Sequence, residues 1–167
     1  KIVKSDKTVY GINTGFGPLC DVKISEEETA QLQENLIISH SVGVGKPIAK
    51  ELSKIMMVCK IHALSKGFSG ISLDVVERLM LMLEKDIIPV VPEQGSVGAS
   101  GDLAPLSHLV LPLLGLGKVW EGENTVETAQ VLEKHQLQPL KLQAKEGLAL
   151  INGTQFILAH AILGLDK

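Results

Sequence analysis

The stretch GSVGASGDLAPLSH, Gly95 to His108, runs from a loop that cannot be regular structure into a helix start, and the rest of the chain reads outward from it. Three glycines and two serines fill its first seven residues, a composition suited to turns with positive φ. Asp102 is the right residue type to cap a following helix, and Pro105 is tolerated in that helix's first turn. Immediately upstream, Ile87-Ile88-Pro89-Val90-Val91-Pro92 cannot be helical, because two prolines remove donors and push their predecessors toward extended geometry.

Helices are expected on both sides. Ser25 followed by Glu28 is a capping-box pattern, and Leu32, Leu36, His40 and Gly43 then recur at helical spacing, so a helix should run from about Glu26 to about Val42. Pro47 fits the first turn of a second helix, where Leu52, Ile55, Met56, Cys59 and Ala63 share a face and Gly67 is the stop. Ser72 would cap a third, which carries Val76, Leu79 and Leu83 with Leu81 and Met82 around the other side, as expected deep in a bundle. Leu103 to Leu116 reads as a buried helix bent at Pro112, Gly117 to Asn124 as a small hairpin, and Glu127 to His135 as a helix. Ala144 to Leu165 reads as one long apolar helix interrupted by Gly147 and Gly153. No strand-rich block, internal repeat or low-complexity tract is evident, so residues 1–167 are expected to form one all-α domain with long buried helices and a glycine-rich loop.

Composition narrows the function. With 45% hydrophobic side chains in 167 residues, the chain can bury a core. Its net charge of −3, from 16 basic and 19 acidic residues spread along the chain, offers no stripe for nucleic acid or an anionic membrane surface. Leu103 to Leu116 is interrupted by Pro105, Ser107, His108, Pro112 and Gly115, and is short of the ~20 apolar residues of a membrane span. Cys20 and Cys59 are too few for a disulfide framework, Cys59 reads as core, and no signal peptide opens the chain, so a cytoplasmic location is expected. A start without Met at Lys1 and a stop at Lys167, just after an apolar run, read as a piece of a larger, mostly helical subunit.

The glycine-rich loop admits three readings. One is a structural turn. A second is a phosphate cradle in a nucleotide-binding module, but no Lys-Ser/Thr pair follows, the spacing is not G-x-x-x-x-G-K, and Asp102 puts negative charge where phosphate would sit. The third is backbone self-cyclisation, in which the amide nitrogen of residue i+2 attacks the carbonyl carbon of residue i and water is lost. Position i+2 should then be Gly, since a Cβ would block the approach. Position i should be small, and the middle residue must be a Ser whose hydroxyl leaves as a second water. Ala99-Ser100-Gly101 meets each condition. A lone Ala-Ser-Gly is common, so context has to decide.

That context resembles the MIO-dependent aromatic amino acid ammonia-lyases, which build 4-methylidene-imidazol-5-one from an internal Ala-Ser-Gly. Beyond GSVGASGDLAPLSH, Tyr10-Gly-Ile-Asn-Thr-Gly-Phe-Gly17 is similar to the family's mobile catalytic loop, Lys145 to Gln155 to its substrate-binding Asn segment, and Leu36 to Gly45 to its selectivity helix. The resemblance implies that Ser100 supplies the methylidene, with Ala99 and Gly101 completing the ring, an electrophile for the substrate amine. It implies that Tyr10, by itself a packing residue, is the base for the β-proton, its phenol tuned down from a pKa near ~10. Leu103 would line the pocket. Asn152, otherwise an interhelical hydrogen-bond partner, would touch both MIO and substrate. His40 alone reads as a structural residue or a charge on a helix dipole. The Ser39-His40 pair, however, stands where phenylalanine-preferring members carry Phe-Leu and tyrosine-preferring ones His-Leu, and resembles the histidine type. The implied reaction is deamination of L-histidine to trans-urocanate in a homotetramer with shared sites. Tyrosine or phenylalanine lyases and MIO aminomutases stay open as alternatives. His62, His108, His135 and His160 are not at metal-ligand spacing, and no metal is expected.

Overall fold

The computed structural model describes Val9, Ile12, Thr14 and residues 26–98 and 101–165. Among these residues it is mostly helical, in the order α1 (Glu26–His40), β1 (Val44–Pro47), α2 (Lys50–Ser65), α3 (Leu73–Glu84), β2 (Ile88–Pro89), β3 (Pro92–Gln94), α4 (Leu103–Val110), β4 (Lys118–Glu121), β5 (Asn124–Glu127), α5 (Thr128–Lys134), α6 (Glu146–Ile151) and α7 (Gln155–Leu165). The centre is α4, whose Leu106, Leu109 and Val110 are fully buried against α1, α2, α6 and α7. Burying each such leucine contributes roughly 1.5–3 kcal/mol.

Several expectations shift in position. The buried face of α2 is Leu52, Ser53, Met56, Met57, Lys60 and Leu64. It is turned away from the expected one: Cys59 is half-buried rather than core and Ala63 is exposed. The rotation takes a lysine inside, possible because its ammonium finds a carbonyl there. Helix α3 is not deep in a bundle, since it buries Val75, Val76, Leu79 and Met82 while Leu73 and Met80 face solvent. Pro112 does not bend α4 but ends it, because without an N–H it cannot continue the ladder, and the chain tightens into a 3₁₀ turn over Leu111–Leu114.

Short strands are more numerous than the single expected hairpin. That hairpin forms as β4 and β5, with Val119 opposite Val126 and Trp120 opposite Thr125, and runs three residues further than expected, to Glu127. The extended run upstream of the loop supplies β2, paired to β4, and β3, paired antiparallel to β1. The β1–β3 pair joins two segments whose local sequence carries no strand alternation, and so was not legible.

The largest correction concerns the long C-terminal helix, which is two helices, α6 and α7, separated at Asn152-Gly153-Thr154. Gly153 sits at φ +150, a conformation that favours glycine. Buried polar side chains hold the ends of this pair. Gln33 Oε1 accepts from the Gly147 and Leu148 amides at the start of α6 (2.9 and 3.4 Å). Glu146 accepts from the Ser72 amide (3.0 Å) and the Gln143 amide (2.6 Å), so Ser72 gives its backbone to Glu146 and makes no side-chain cap of its own for α3. Taken as one run, Glu146–Leu165 is long and apolar enough by composition to cross a membrane. The break and the buried, bonded Glu146 carboxylate belong instead to helices packed on protein.

Replacing Glu146 by Gln leaves one of its two backbone donors without an acceptor. The expected loss is about 1–3 kcal/mol of stability, read as a lower urea midpoint in the full-length protein. An unchanged midpoint would show that the two amides find other partners.

Candidate active site

The glycine-rich loop is closed by its own backbone. The Gly101 amide donates to the Gly98 carbonyl at 2.6 Å, and the Val97 amide donates to the Gly101 carbonyl at 3.1 Å. Ala99 and Ser100, between these contacts in sequence, lie outside the described residues, as does Tyr10. A Cβ on Gly101 would come 2.3 Å from Val97 Cγ2 and 3.0 Å from the Gly98 oxygen. A Cβ would have to displace the exposed Val97 side chain and crowd the Gly98 carbonyl, so packing favours glycine at the position where self-cyclisation demands it.

Asp102 is 0% exposed and does not cap its own helix. One carboxylate oxygen accepts from Ser96 Oγ at 2.7 Å, and the other accepts from the Phe156 and Ile157 amides, both at 3.1 Å. It thus caps α7, where orphan amides and the positive end of the helix dipole offset the cost of burying a charge. The sequence placed Asp102 correctly as a cap but at the wrong helix, because only tertiary structure brings α7 to it.

At the end of α1, His40 Nδ1 lies 2.8 Å from the Leu36 carbonyl oxygen. A carbonyl only accepts, so Nδ1 carries hydrogen, and in the neutral ring Nε2 is left as an acceptor with no partner among the described residues. Ser39 Oγ donates to the same carbonyl at 3.1 Å. Beyond His40 the chain is pinned twice: Ser41 Oγ donates to the Ile37 oxygen (2.8 Å), and the Gly43 amide donates to His108 Nε2 on α4 (3.1 Å). Nothing in the local sequence around His108 points to this bond, whose donor lies 65 residues away. Burial holds its pKa below the usual histidine value, which keeps the ring neutral and able to accept.

Leu103 opens α4, half-buried, directly after Asp102. Asn152 closes α6 and is exposed, beside a cavity of about 250 Å³ also lined by Phe68, Ser69, Lys145, Leu148 and Ala149. Its carbonyl accepts from Lys60 Nζ at 2.8 Å. A larger cavity of about 640 Å³ lies between Ile12, Thr29, Ala30, Gly70 and residues 141–145. Gly101 and Leu103 are thus contiguous, Asn152 is tied to them through α7 and Asp102, and His40 through Gly43 and His108. Among the described residues no His, Cys, Asp and Glu cluster of three or more could hold a metal.

Residues 1–167 match the family model described as aromatic amino acid lyase. The histidine ammonia-lyase of Shouchella clausii (strain KSM-K16) is 55% identical over 163 residues, 98% of this chain and 33% of that protein. The crystal structure of histidine ammonia-lyase from Trypanosoma cruzi superposes with a TM-score of 0.85 at 44% identity, covering 95% of this chain and 31% of that one. The tyrosine aminomutase from Streptomyces globisporus gives a TM-score of 0.87 at 39% identity, covering 95% and 30%. The chain spans about a third of the length of the curated relatives it matches.

The neutral His108 predicts a pH dependence. Its folded pKa is lowered from 6.5, so the unfolded chain binds the proton first as pH falls. Stability is fully present above 6.5 and is lost as pH drops through the folded value. In His108→Gln, whose carbonyl accepts at any pH, the fall in unfolding midpoint across that window should be smaller. Equal slopes in both proteins would remove His108 as its source.

Proposed function

This chain belongs to the aromatic amino acid lyase family, and we propose that it is the MIO-bearing catalytic domain of a histidine ammonia-lyase, which deaminates L-histidine to trans-urocanate. The observation that carries the reading is the Asp102 clamp, which ties Ser96 and Asp102, the residues flanking the tripeptide in sequence, to the start of α7 just after Asn152. The tight turn at Gly98 and Gly101 and the crowding a Cβ would meet at Gly101 fit the group, whose formation would take the hydrogen from the Gly101 nitrogen and so replace its bond to the Gly98 carbonyl. MIO supplies an electrophile for the substrate amine. Tyr10 takes the β-proton, the C–N bond breaks, and ammonia leaves with an α,β-unsaturated acid.

Specificity rests on His40. Its Nε2 is an acceptor aimed at no protein group among the described residues, and a substrate imidazole N–H can donate to it. Leu103 supplies an apolar wall and Asn152 an amide beside the substrate. A tyrosine-directed lyase or aminomutase is the second reading, because a phenolic hydroxyl can donate to the same Nε2 and a tyrosine aminomutase superposes closely. Ser39, where the tyrosine type carries His followed by Leu, favours histidine. Ile157, Leu158, Ile162 and Leu165 on α7 stay exposed, which supports burial of this helix within a larger subunit and a homotetramer with shared sites. We further propose a cytoplasmic location and no metal.

In the full-length protein, Ser100→Ala should abolish deamination while the fold persists, because no hydroxyl remains to leave. Mass spectrometry of the peptide spanning Ala99 should show loss of two waters in wild type only. Near-normal turnover by the variant would refute the MIO reading. Tyr10→Phe should lower kcat with that mass loss intact. Unchanged kcat would move the base elsewhere.

Comparing kcat/KM for L-histidine, L-tyrosine and L-phenylalanine tests the substrate. Wild type should prefer histidine, and His40→Leu should narrow the preference, since sites built around such a bond reject analogues by up to ~10⁴-fold. Equal or better use of tyrosine by wild type would overturn the substrate assignment alone.

A further inference from the structure

Lys60 has no part in the chemistry above, yet it is 1% exposed, lies on the buried face of α2, and bonds a residue of the active site. Its Nζ donates to the Asn152 carbonyl at 2.8 Å. That carbonyl belongs to the residue closing α6, where helix carbonyls lose their intrahelical donors and the dipole favours a cation. Asn152 has extended backbone (φ −82, ψ 126), so it is the first residue out of the helix. Its carbonyl is therefore the handle by which the direction of the chain, and of its side chain, is set.

Packing does not account for a lysine here. A methionine would fill similar volume without a buried ammonium, and exchanges of that kind are often neutral or stabilising. Burial pushes the Lys60 ammonium down to about 8, a measure of how poorly the position solvates charge.

We propose that Lys60 is a positioning residue, whose bond to the Asn152 carbonyl fixes how the chain leaves α6 and so aims the Asn152 side chain at the substrate. This rests on the reading that Asn152 contacts substrate. Lys60 touches no reacting atom and acts only through Asn152.

The test is a double-mutant cycle in the full-length protein, with Lys60→Met, Asn152→Ala and both together. Rates are taken per site that shows the two-water mass loss. Lys60→Met should lower kcat/KM about tenfold, as expected for a lost hydrogen bond to a charged group, with MIO still formed. In the Asn152→Ala background the same change should cost less than about twofold, because its only route is already cut. Lys60→Arg, which keeps a donor, should restore most of the activity. Equal factors in both backgrounds, or wild-type activity of Lys60→Met, would overturn the proposal. Wild-type activity of Asn152→Ala would instead remove the underlying reading of Asn152, and Lys60's role with it. If Lys60→Met does not fold, the cycle is run with Lys60→Arg, where a smaller loss must again vanish in the Asn152→Ala background.

Discussion

The Asp102 carboxylate is the constraint on which the rest depends. A fully buried charge is tolerable only if its oxygens are occupied, and they are, by Ser96 and by two amides at the start of α7. Those partners come from Ser96, at the start of the glycine-rich loop that Asp102 ends, and from a helix more than fifty residues later. One side chain therefore caps the start of α7 and holds that start against the Ser96 side of the loop that leads into α4. The tight turn at Gly98 and Gly101 follows from that anchoring, since Ser96 and Asp102 are held to each other across it.

A second layer joins the other end of the site to the same helix. The β1–β3 ladder runs the chain after His40 alongside the chain before Gly95. His108 then fastens Gly43 to α4, the helix that begins with Leu103. Because Nε2 of His108 must accept, the link exists only with a neutral ring, which burial favours. His40 is held in the same tautomer, with Nδ1 as donor to its own helix, but its Nε2 has no partner among the described residues where that of His108 is engaged. Two histidines with the same chemistry are thus given different roles by the partner each finds.

The helices near the N-terminal side were legible because their signals are local: the apolar spacing in α1 and α3, and the prolines that force 87–92 out of helix; Ser25 of the capping pattern lies outside the described residues. The tripeptide and its neighbours were legible through chemistry, since few residue types permit backbone cyclisation. What was not legible depended on distant partners. Nothing near Asp102 says that it caps α7, nothing near Lys60 says that a carbonyl waits inside, and nothing local tells that of the two glycines in the apolar run from Ala144 only Gly153 marks a break. Ser72 and Asp102 both have the residue type of a local cap, yet the Ser72 amide donates to Glu146 and the Asp102 carboxylate accepts from the Phe156 amide, each partner far along the chain.

Gln33, Lys60, Asp102 and Glu146 are all buried, and all spend their polar atoms at or beside the ends of α6 and α7. Helix α7 is apolar nearly all round, so hydrophobic contact alone would let it slide or turn against α2 and α4 at little cost. Hydrogen bonds to named backbone atoms do not permit that freedom, because a shift of one residue leaves a buried charge or amide unpaired. The apolar core provides cohesion, and these four side chains provide register. Sequence drift should accordingly be freer among the leucines and isoleucines of this core than at the four polar positions embedded in it.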